Sequence, residues 1–269
     1  MIQLMHLLRN IIIKRFNMNY NNITIRNILG IPEIKSGDDI SQIILEALKK
    51  NRIKLKDKDV LVITQKIISK SENRLVHKDF IKPTTKAINL SKKINKNPLL
   101  TQLILNESKR IIQKKPGVII TETHHGFICA NSGIDQSNVP VDCYCLLPIN
   151  PDNSAKKIRL ILEKEFNIKI GVIISDTFGR PFRTGQTDVA IGVSGINPLL
   201  NYKGKKDFYN KNINVTSIAI ADELASSAEL VLGKTNNSPI ALIRGYDFKS
   251  SKKNSKLLIM PKNKSLFSK

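Results

Sequence analysis

Tryptophan is absent from this chain of 269 residues, aromatic side chains make up only 5% of it, and cysteines number three. Each scarcity excludes something. A protein dedicated to nucleic acid usually interleaves its basic residues with aromatics on which bases stack, and few are available here. Three cysteines are an odd number, in a chain long enough to bury a core without covalent staples, which argues against a disulfide framework and for a reducing cytoplasm. Cys143 and Cys145, in VDCYCLL, fall on one face of a strand, and no second Cys/His pair gives zinc-like spacing, so they read as buried thiols. The common phosphate loop, the dinucleotide fingerprint and the hydrolase elbow are also missing. No apolar run is long enough for a membrane span. The opening MIQLMHLLRNIIIKRFNMNY is interrupted by His6, Arg9, Lys14 and Arg15 and has no clear small-residue cleavage site.

What is abundant is positive charge. Lys and Arg total 44 against 22 Asp and Glu, a formal net charge of +22. Such an excess ordinarily points to polyanions. Here the lysines are scattered among Asn and Ile along the whole chain, so the excess reads as surface composition. A basic nucleic-acid-binding protein is kept as an alternative.

Periodicity divides the chain into mixed elements. NITIRNILGIPEI reads as a strand entering a proline turn, and SGDDISQIILEALKKN as an amphipathic helix whose first turn is served by Asp38 or Asp39. DVLVITQKIISKSENR reads as a buried β-rich run breaking into a polar loop at 69–73. The Lys-rich stretch 81–96 reads as a solvated helix or excursion, and NPLLTQLILNESKRIIQKK as a further helix. GVIITETHHGFICANSGID and VDCYCLLP read as strands around a polar loop, with a helix over 151–166 beyond them. IKIGVIISDTFGRPFR reads as an apolar run ending in a polar turn, TDVAIGVSG and INVTSIAIA as strands, DELASSAELVLG as a helix and PIALIRG as a last strand. No repeat and no regular βαβ alternation is present. The expected class is α+β, with mixed, largely antiparallel sheets and packed helices, and no P-loop or Rossmann core. Residues 1–22 are expected to form an extension, disordered or helical, and 23–269 one domain, as a single body or two packed lobes.

Polar clusters that follow apolar strands are the candidate sites, because a rigid scaffold fixes side chains there over an open surface. HHGFICANSGIDQSN carries Asn131, Gly133, Asp135 and Asn138; SDTFGRPFRTGQTD carries Asp176, Thr177, Arg180, Arg183, Gln186 and Asp188. Asp135 and Asp176 are short carboxylates of the kind that hard divalent cations prefer, and Thr177 offers a further oxygen. Asn138 suits a phosphate or a base. Lys66 and Lys70 after LVITQ, with Arg180 and Arg183, supply cations for phosphate oxygens. An aspartate after a strand serves equally well as a turn or helix cap, and most lysines of such a chain are solvated surface. Gly233 and Lys234 after a helix suit a nucleotide or a simple cap. His124 and His125 are adjacent, and on a strand they would face opposite ways, which favours structural roles.

Taken together, GIPEIKSGDD, LVITQKIISKSE, HGFICANSGIDQSNVP, ISDTFGRPFRTGQTDVAIGVSGI and ADELASSAELVLGK followed by PIALIRG resemble the coenzyme F-420 gamma-glutamyl ligase family, in order from about Gly30 to Gly245. The resemblance implies a cytoplasmic homodimer of mixed fold that adds L-glutamate, and then gamma-linked glutamates, to the coenzyme F-420 precursor with GTP and Mg²⁺ or Mn²⁺, leaving room for K⁺. It implies Asp135 and Asp176 as metal ligands, Thr177 as a ligand of a second metal, and Glu223 as a weaker metal candidate. It implies nucleotide contacts from Ile31, Pro32, Glu33, Ile34, Gln65, Lys66, Lys70 and Asn138, with 232–238, including Leu232, Gly233 and Lys234, closing over the nucleotide. The catalytic set is then Asp135, Asp176, Lys70 and Arg180, working through an acyl phosphate. The chain departs from the pattern in its first twenty or so residues, in the polar region 82–97, and at Phe182, where a larger aromatic is expected. The competing readings are a ligase of the same kind acting on another acid and a metal-dependent phosphohydrolase.

Overall fold

A computed structural model describes residues 22–265, so the stretch read as an N-terminal extension lies, but for Asn22, outside the described residues. In chain order the first elements are β1 (Thr24–Asn27), α1 (Ile40–Lys50), β2 (Val60–Thr64), α2 (Gln65–Ser71), β3 (Leu75–His77), α3 (Thr85–Ile94) and α4 (Pro98–Asn106). Then follow β4 (Ser108–Lys115), β5 (Val118–Thr123), β6 (Ile128–Ala130), β7 (Cys143–Cys145), α5 (Pro151–Phe166) and β8 (Gly171–Gly179). The chain closes with β9 (Gln186–Ile196), β10 (Leu200–Asn201), β11 (Ser217–Ile218), α6 (Ile220–Leu232), β12 (Ile240–Arg244) and β13 (Ser250–Ser251).

VLVIT is apolar at successive positions because the sheet it enters is covered on both faces. Six strands lie in the order β1-β12-β2-β8-β9-β13, and β2 with β8 is the one parallel pair among them. Alternation divides each central strand between two cores. Leu61, Ile63, Val172, Ile174, Ile240 and Leu242 face α1 and α5, where Ile44, Leu48, Ile158 and Leu162 are buried. Val60, Val62, Ile173, Ala241 and Ile243 face α6, against Ala221, Leu224, Ala225 and Ala228. A third cluster joins α3 and α4 to β5 and β7 through Leu90, Ile94, Leu103, Ile104, Ile119 and Tyr144. The expected α+β class, with largely antiparallel sheets, is what forms.

Local signals set several boundaries. Asp39 caps α1, its Oδ1 accepting from the N–H groups of Ser41 and Gln42 at 2.8 and 3.3 Å. Asn150 caps α5 and Pro151 opens it, giving the helix at 151–166. Arg244, at the end of β12, holds buried Asp59 with two bonds of 2.7 and 2.6 Å and so fixes the start of β2.

Four expectations are corrected. The polar stretch 69–73 is not a loop throughout, since α2 runs to Ser71 and sets Lys66 and Lys70 one helical turn apart. The helix expected over NPLLTQLILNESKRIIQKK stops at Asn106, and 108–115 is strand β4, where β-branched Ile111 pairs with Thr121 of β5. INVTSIAIA keeps only the short β11, because α6 begins at Ile220 with Asp222 and Glu223 complementing its dipole. The polar turn expected directly after the apolar run of β8 comes later: pairing with β9 carries the strand through Asp176 and Thr177 to Gly179.

β9 passes against the start of α5, and a side chain at Gly192 would bring a Cβ within 2.5 Å of the Pro151 carbonyl oxygen. Gly192→Ala is therefore expected to cost about 3 kcal/mol through overpacking against backbone, read as a lower denaturation midpoint with an unchanged slope.

Candidate functional site

The parallel pairing of β2 with β8 ends where β2 ends, at Thr64 opposite Ser175. Beyond that point the chain diverges into α2 on one side and the remainder of β8 on the other. A crevice opens where parallel strands part, as in other sheets with such a pair. β12 begins at the same end, with the Thr64 N–H donating to the Pro239 carbonyl at 2.9 Å, so the segment 233–239 arrives there too. The result is a cavity of about 810 Å³.

Sequence segments far apart meet around it. The turn Ile31–Ile34, the α2 residues Gln65, Lys66 and Lys70, the loop residues Asp135 and Asn138, the strand residues Asp176 and Thr177, and Gly233 with Lys234 all line this space. The turn is pinned by buried Ile34, and Lys70 reaches Glu33 at 2.5 Å. Asn138 donates through Nδ2 to the Lys234 carbonyl at 3.0 Å, joining two segments 96 residues apart.

Four nominated residues stand elsewhere, among them Arg183, which lies in the 180–185 turn beyond the cavity's lining. Arg180 turns back on its own hairpin, donating to the carbonyls of Thr184 and Gly185 at 2.7 and 3.4 Å. Leu232, the last residue of α6, is buried in the core between that helix and the sheet, and the lining begins at Gly233. Glu223 borders a separate shallow groove with Asp222 and Ser226. Six residues further along the same helix, Glu229 is the carboxylate that reaches the cavity's edge, through Lys234 at 2.8 Å. A helix start fixes the element but not which of its faces meets the site. The histidines lie in the turn after β5, where His124 meets the Asn106 carbonyl at 2.9 Å and His125 that of Pro148 at 2.8 Å.

β8 sorts the polar groups into two sets. A register shift between Ile174 and Ser175 marks a bulge, a device that re-aims side chains beside sites. Past it, Ser175 and Thr177 point one way and Asp176 the other. On the first face Asp188, opposite Thr177, accepts from Ser175 Oγ at 2.9 Å and Thr177 Oγ1 at 2.6 Å. Lys234 Nζ sits on the same group, 2.6 Å from Thr177 Oγ1 and 3.2 Å from Asp188 Oδ1. Asp188 stood in a nominated cluster without a role. Its alternation with Val189 and Ala190 in TDVA was the available signal.

On the second face lie Asp176, Asp135 and Lys66. Burial pushes Asp135 upward, but the bond and charge of Lys66 at 2.7 Å and the bonds from Ser137 outweigh it, holding the carboxyl below its usual range. Asp176 has no such partner: among the described residues no lysine or arginine pairs with it. Walled by protein though open to the cavity, its carboxyl is pushed up to about 7, chiefly by burial and further by the charges of Asp188 and Asp135. Burial and the charge of Asp176 push the Cys129 thiol up to about 12.

The approach to this face is shaped by 131–133, where Asn131, Ser132 and Gly133 all take positive φ, of 53°, 57° and 70°. Ser132 is held there by Ile104 and Thr121. Gly133 has no alternative, because a Cβ would stand 2.8 Å from the Leu147 side chain. Two buried polar atoms in this lining, Gln65 Nε2 and Asn131 Oδ1, have no partner in the protein. Such orphans are satisfied by ligand or water.

Among the described residues no group of three or more His, Cys, Asp or Glu side chains is placed to hold a metal alone. That argues against a closed, all-protein site. It suits Mg²⁺ or Mn²⁺, which take one or two carboxylates and complete their shell from water and substrate phosphates. The unpaired Asp176 beside Asp135 fits that demand.

The family described as F420-0:gamma-glutamyl ligase matches residues 29–245. Coenzyme F420:L-glutamate ligase of Methanothermobacter thermautotrophicus is 42% identical over 225 residues, covering 83% of this chain and 89% of the relative. The enzymes of that name from Methanococcus maripaludis and Methanocaldococcus jannaschii are each 43% identical over 240 residues, covering 89% of this chain and 95% and 94% of theirs.

A carboxyl raised in the folded state penalises folding above its folded value, and the penalty vanishes once both states are protonated. Metal-free Asp176→Asn is thus expected to melt higher than the parent at pH 8. The difference should shrink as pH falls through about 7 towards about 4, the ordinary carboxylate value. Melting curves in chelator across that interval read it.

Proposed function

The chain belongs to the F420-0:gamma-glutamyl ligase family, and on that premise we propose that it joins L-glutamate to the coenzyme F-420 precursor with hydrolysis of GTP. The observation that carries the reading is the meeting of 31–34, 65–70, 135–138, 176–177 and 233–234 around one cavity, with an unpaired carboxylate at its floor. A homodimer is part of the same reading.

A carboxylate does not acylate an amine unaided, because its leaving oxygen is too basic. The acid substrate's carboxylate oxygen attacks the gamma-phosphorus of GTP, and the bond to the beta-phosphate breaks, giving GDP and an acyl phosphate. The glutamate nitrogen then attacks the acyl carbon, the carbon–oxygen bond to phosphate breaks, and the nitrogen loses a proton. Asp135 and Asp176 are the residues to hold a divalent ion, which when bound neutralises phosphate oxygens. Lys66 and Lys70 reach the cavity from consecutive turns of α2 and neutralise the remainder. Glu33 holds Lys70 towards the 31–34 turn, so that turn and helix bind as one surface. The unpartnered Gln65 Nε2 donates to a nucleotide or acyl oxygen, and Asn131 Oδ1 accepts from a donor such as the incoming amine. Asn138, tying 135–138 to Lys234, closes the two loops around the bound groups. Arg180 enters only through the order it gives to 180–185. Catalysis is then mostly positioning in a walled space.

Purified protein incubated with precursor, L-glutamate, GTP and Mn²⁺ should give product masses increased by glutamyl units, together with GDP. Asp135→Asn and Asp176→Asn should each lose about 100-fold or more of that turnover with the fold retained. Lys70→Ala should weaken GTP binding about tenfold, or roughly 1.4 kcal/mol, by calorimetry. Near-normal turnover in both aspartate variants would remove the metal-ligand role, and absence of any glutamylated product from the parent would remove the substrate.

A further inference from the structure

Thr177 was expected to hold a second metal, and the geometry around it points elsewhere. Its hydroxyl, Asp188 Oδ1 and Glu229 Oε1 surround one atom, Lys234 Nζ, at 2.6, 3.2 and 2.8 Å. Those are hydrogen-bond lengths to an ammonium. A Mg²⁺ ion demands oxygens at about 2.0–2.1 Å in near-octahedral array, so this cup is set wider than such an ion needs. Its charge is also largely met. Asp188 is almost wholly buried, and besides the lysine it has the hydroxyls of Ser175 and Thr177 on its oxygens. The Glu229 carboxylate is shared between Lys234 and the Asp188 N–H, which donates to it at 3.1 Å. Asp176, on the opposite face of β8, has none of this. The strand's alternation therefore divides the cavity floor into a side whose carboxylates are all paired with a cation and a side where Asp135 has Lys66 at 2.7 Å but Asp176 is unpaired.

We propose that Lys234 is a resident cation, standing where a second divalent ion would otherwise sit against Thr177, Asp188 and Glu229, so that the chain takes one metal, at Asp135 and Asp176. The lysine is suited to this because it is anchored twice. Its carbonyl accepts from Asn138 Nδ2 while its ammonium holds the sheet, so the charge is fixed in the cavity wall from both ends of the residue. An ammonium neutralises phosphate oxygens as a point charge with three donors. It cannot bind water as a Lewis acid, so any second-metal chemistry is absent on this side. The inference rests on the nucleotide–metal reading above but concerns the number of ions, which is measured without turnover.

The test counts Mn²⁺ bound per chain by electron paramagnetic resonance, with a non-hydrolysable GTP analogue present. The parent should bind one ion with no coupling between ions. Lys234→Gln should bind two, with line broadening from a neighbouring ion, while Lys234→Arg, which keeps the charge, should stay at one. Two ions on the parent, or one on a folded Lys234→Gln, would overturn the proposal. No tight Mn²⁺ on the parent would overturn both the proposal and the Asp135–Asp176 assignment. Glutamylation by the parent is assayed separately: two bound ions with normal product would discard the resident cation and leave the ligase reading standing.

Discussion

The parallel pairing of β2 with β8 is the constraint on which the rest of the site depends. Both strands are buried on both faces, so their register admits no slip without driving one core's residues into the other. That fixes where each strand ends relative to its neighbour. Because the two run in the same direction, the end of β2 at Thr64 lies beside Ser175 within β8, and beyond it the two paths part. α2 departs carrying Lys66 and Lys70; β8 continues along β9 carrying Asp176 and Thr177. The space between is the cavity, and nothing in it would be aligned if that single parallel contact were antiparallel.

Electrostatics in this space are governed by which side chains can reach it. The chain's overall charge of +22 suggests an abundance of cations everywhere. Yet Asp176 has no ion-pair partner among the described residues, while Asp135 and Asp188 each have a lysine. Reaching a strand residue at the cavity floor requires a long side chain on an element that passes directly over it. α2 offers Lys66 towards Asp135, and the segment after α6 offers Lys234 towards Asp188. The lysine nearest in charge to Asp176, Lys66, is held by Asp135 instead. The surplus of lysine belongs to solvent, and the unpaired group at the floor is the feature that calls for a ligand.

The same arrangement makes the site a product of several elements with separate anchors. Ile34 fixes the 31–34 turn in the core, the left-handed 131–133 segment is fixed by Ser132 and Gly133, and Asn138 with Lys234 ties the loops to each other. Each anchor is either buried or hydrogen-bonded to backbone, which gives the rigidity that positioning demands. The 233–238 segment is the least enclosed of these, with exposed Gly233 and Lys234. It is therefore the part best able to admit a nucleotide.

Much of this was determined by the sequence alone. VLVIT, IGVII and PIALI have to be doubly covered strands, and Asp39 and the Asn150–Pro151 pair set helix starts through their own side chains. The order of motifs carried the family and most of the cavity's lining, because loops that follow apolar strands are held by the strands themselves. Tertiary structure alone decided the facing. Sequence order made Asp176 and Thr177 look like neighbours in one site, but pairing with β9 extended the strand through them and alternation parted them to opposite faces. It also exchanged Glu223 for Glu229, since which side of α6 meets β9 is settled by packing, and it turned Arg180 onto its own hairpin. Periodicity is a property of a segment and can be read along it; the direction in which a side chain faces a distant segment depends on strand register and helix rotation, which only the folded core fixes.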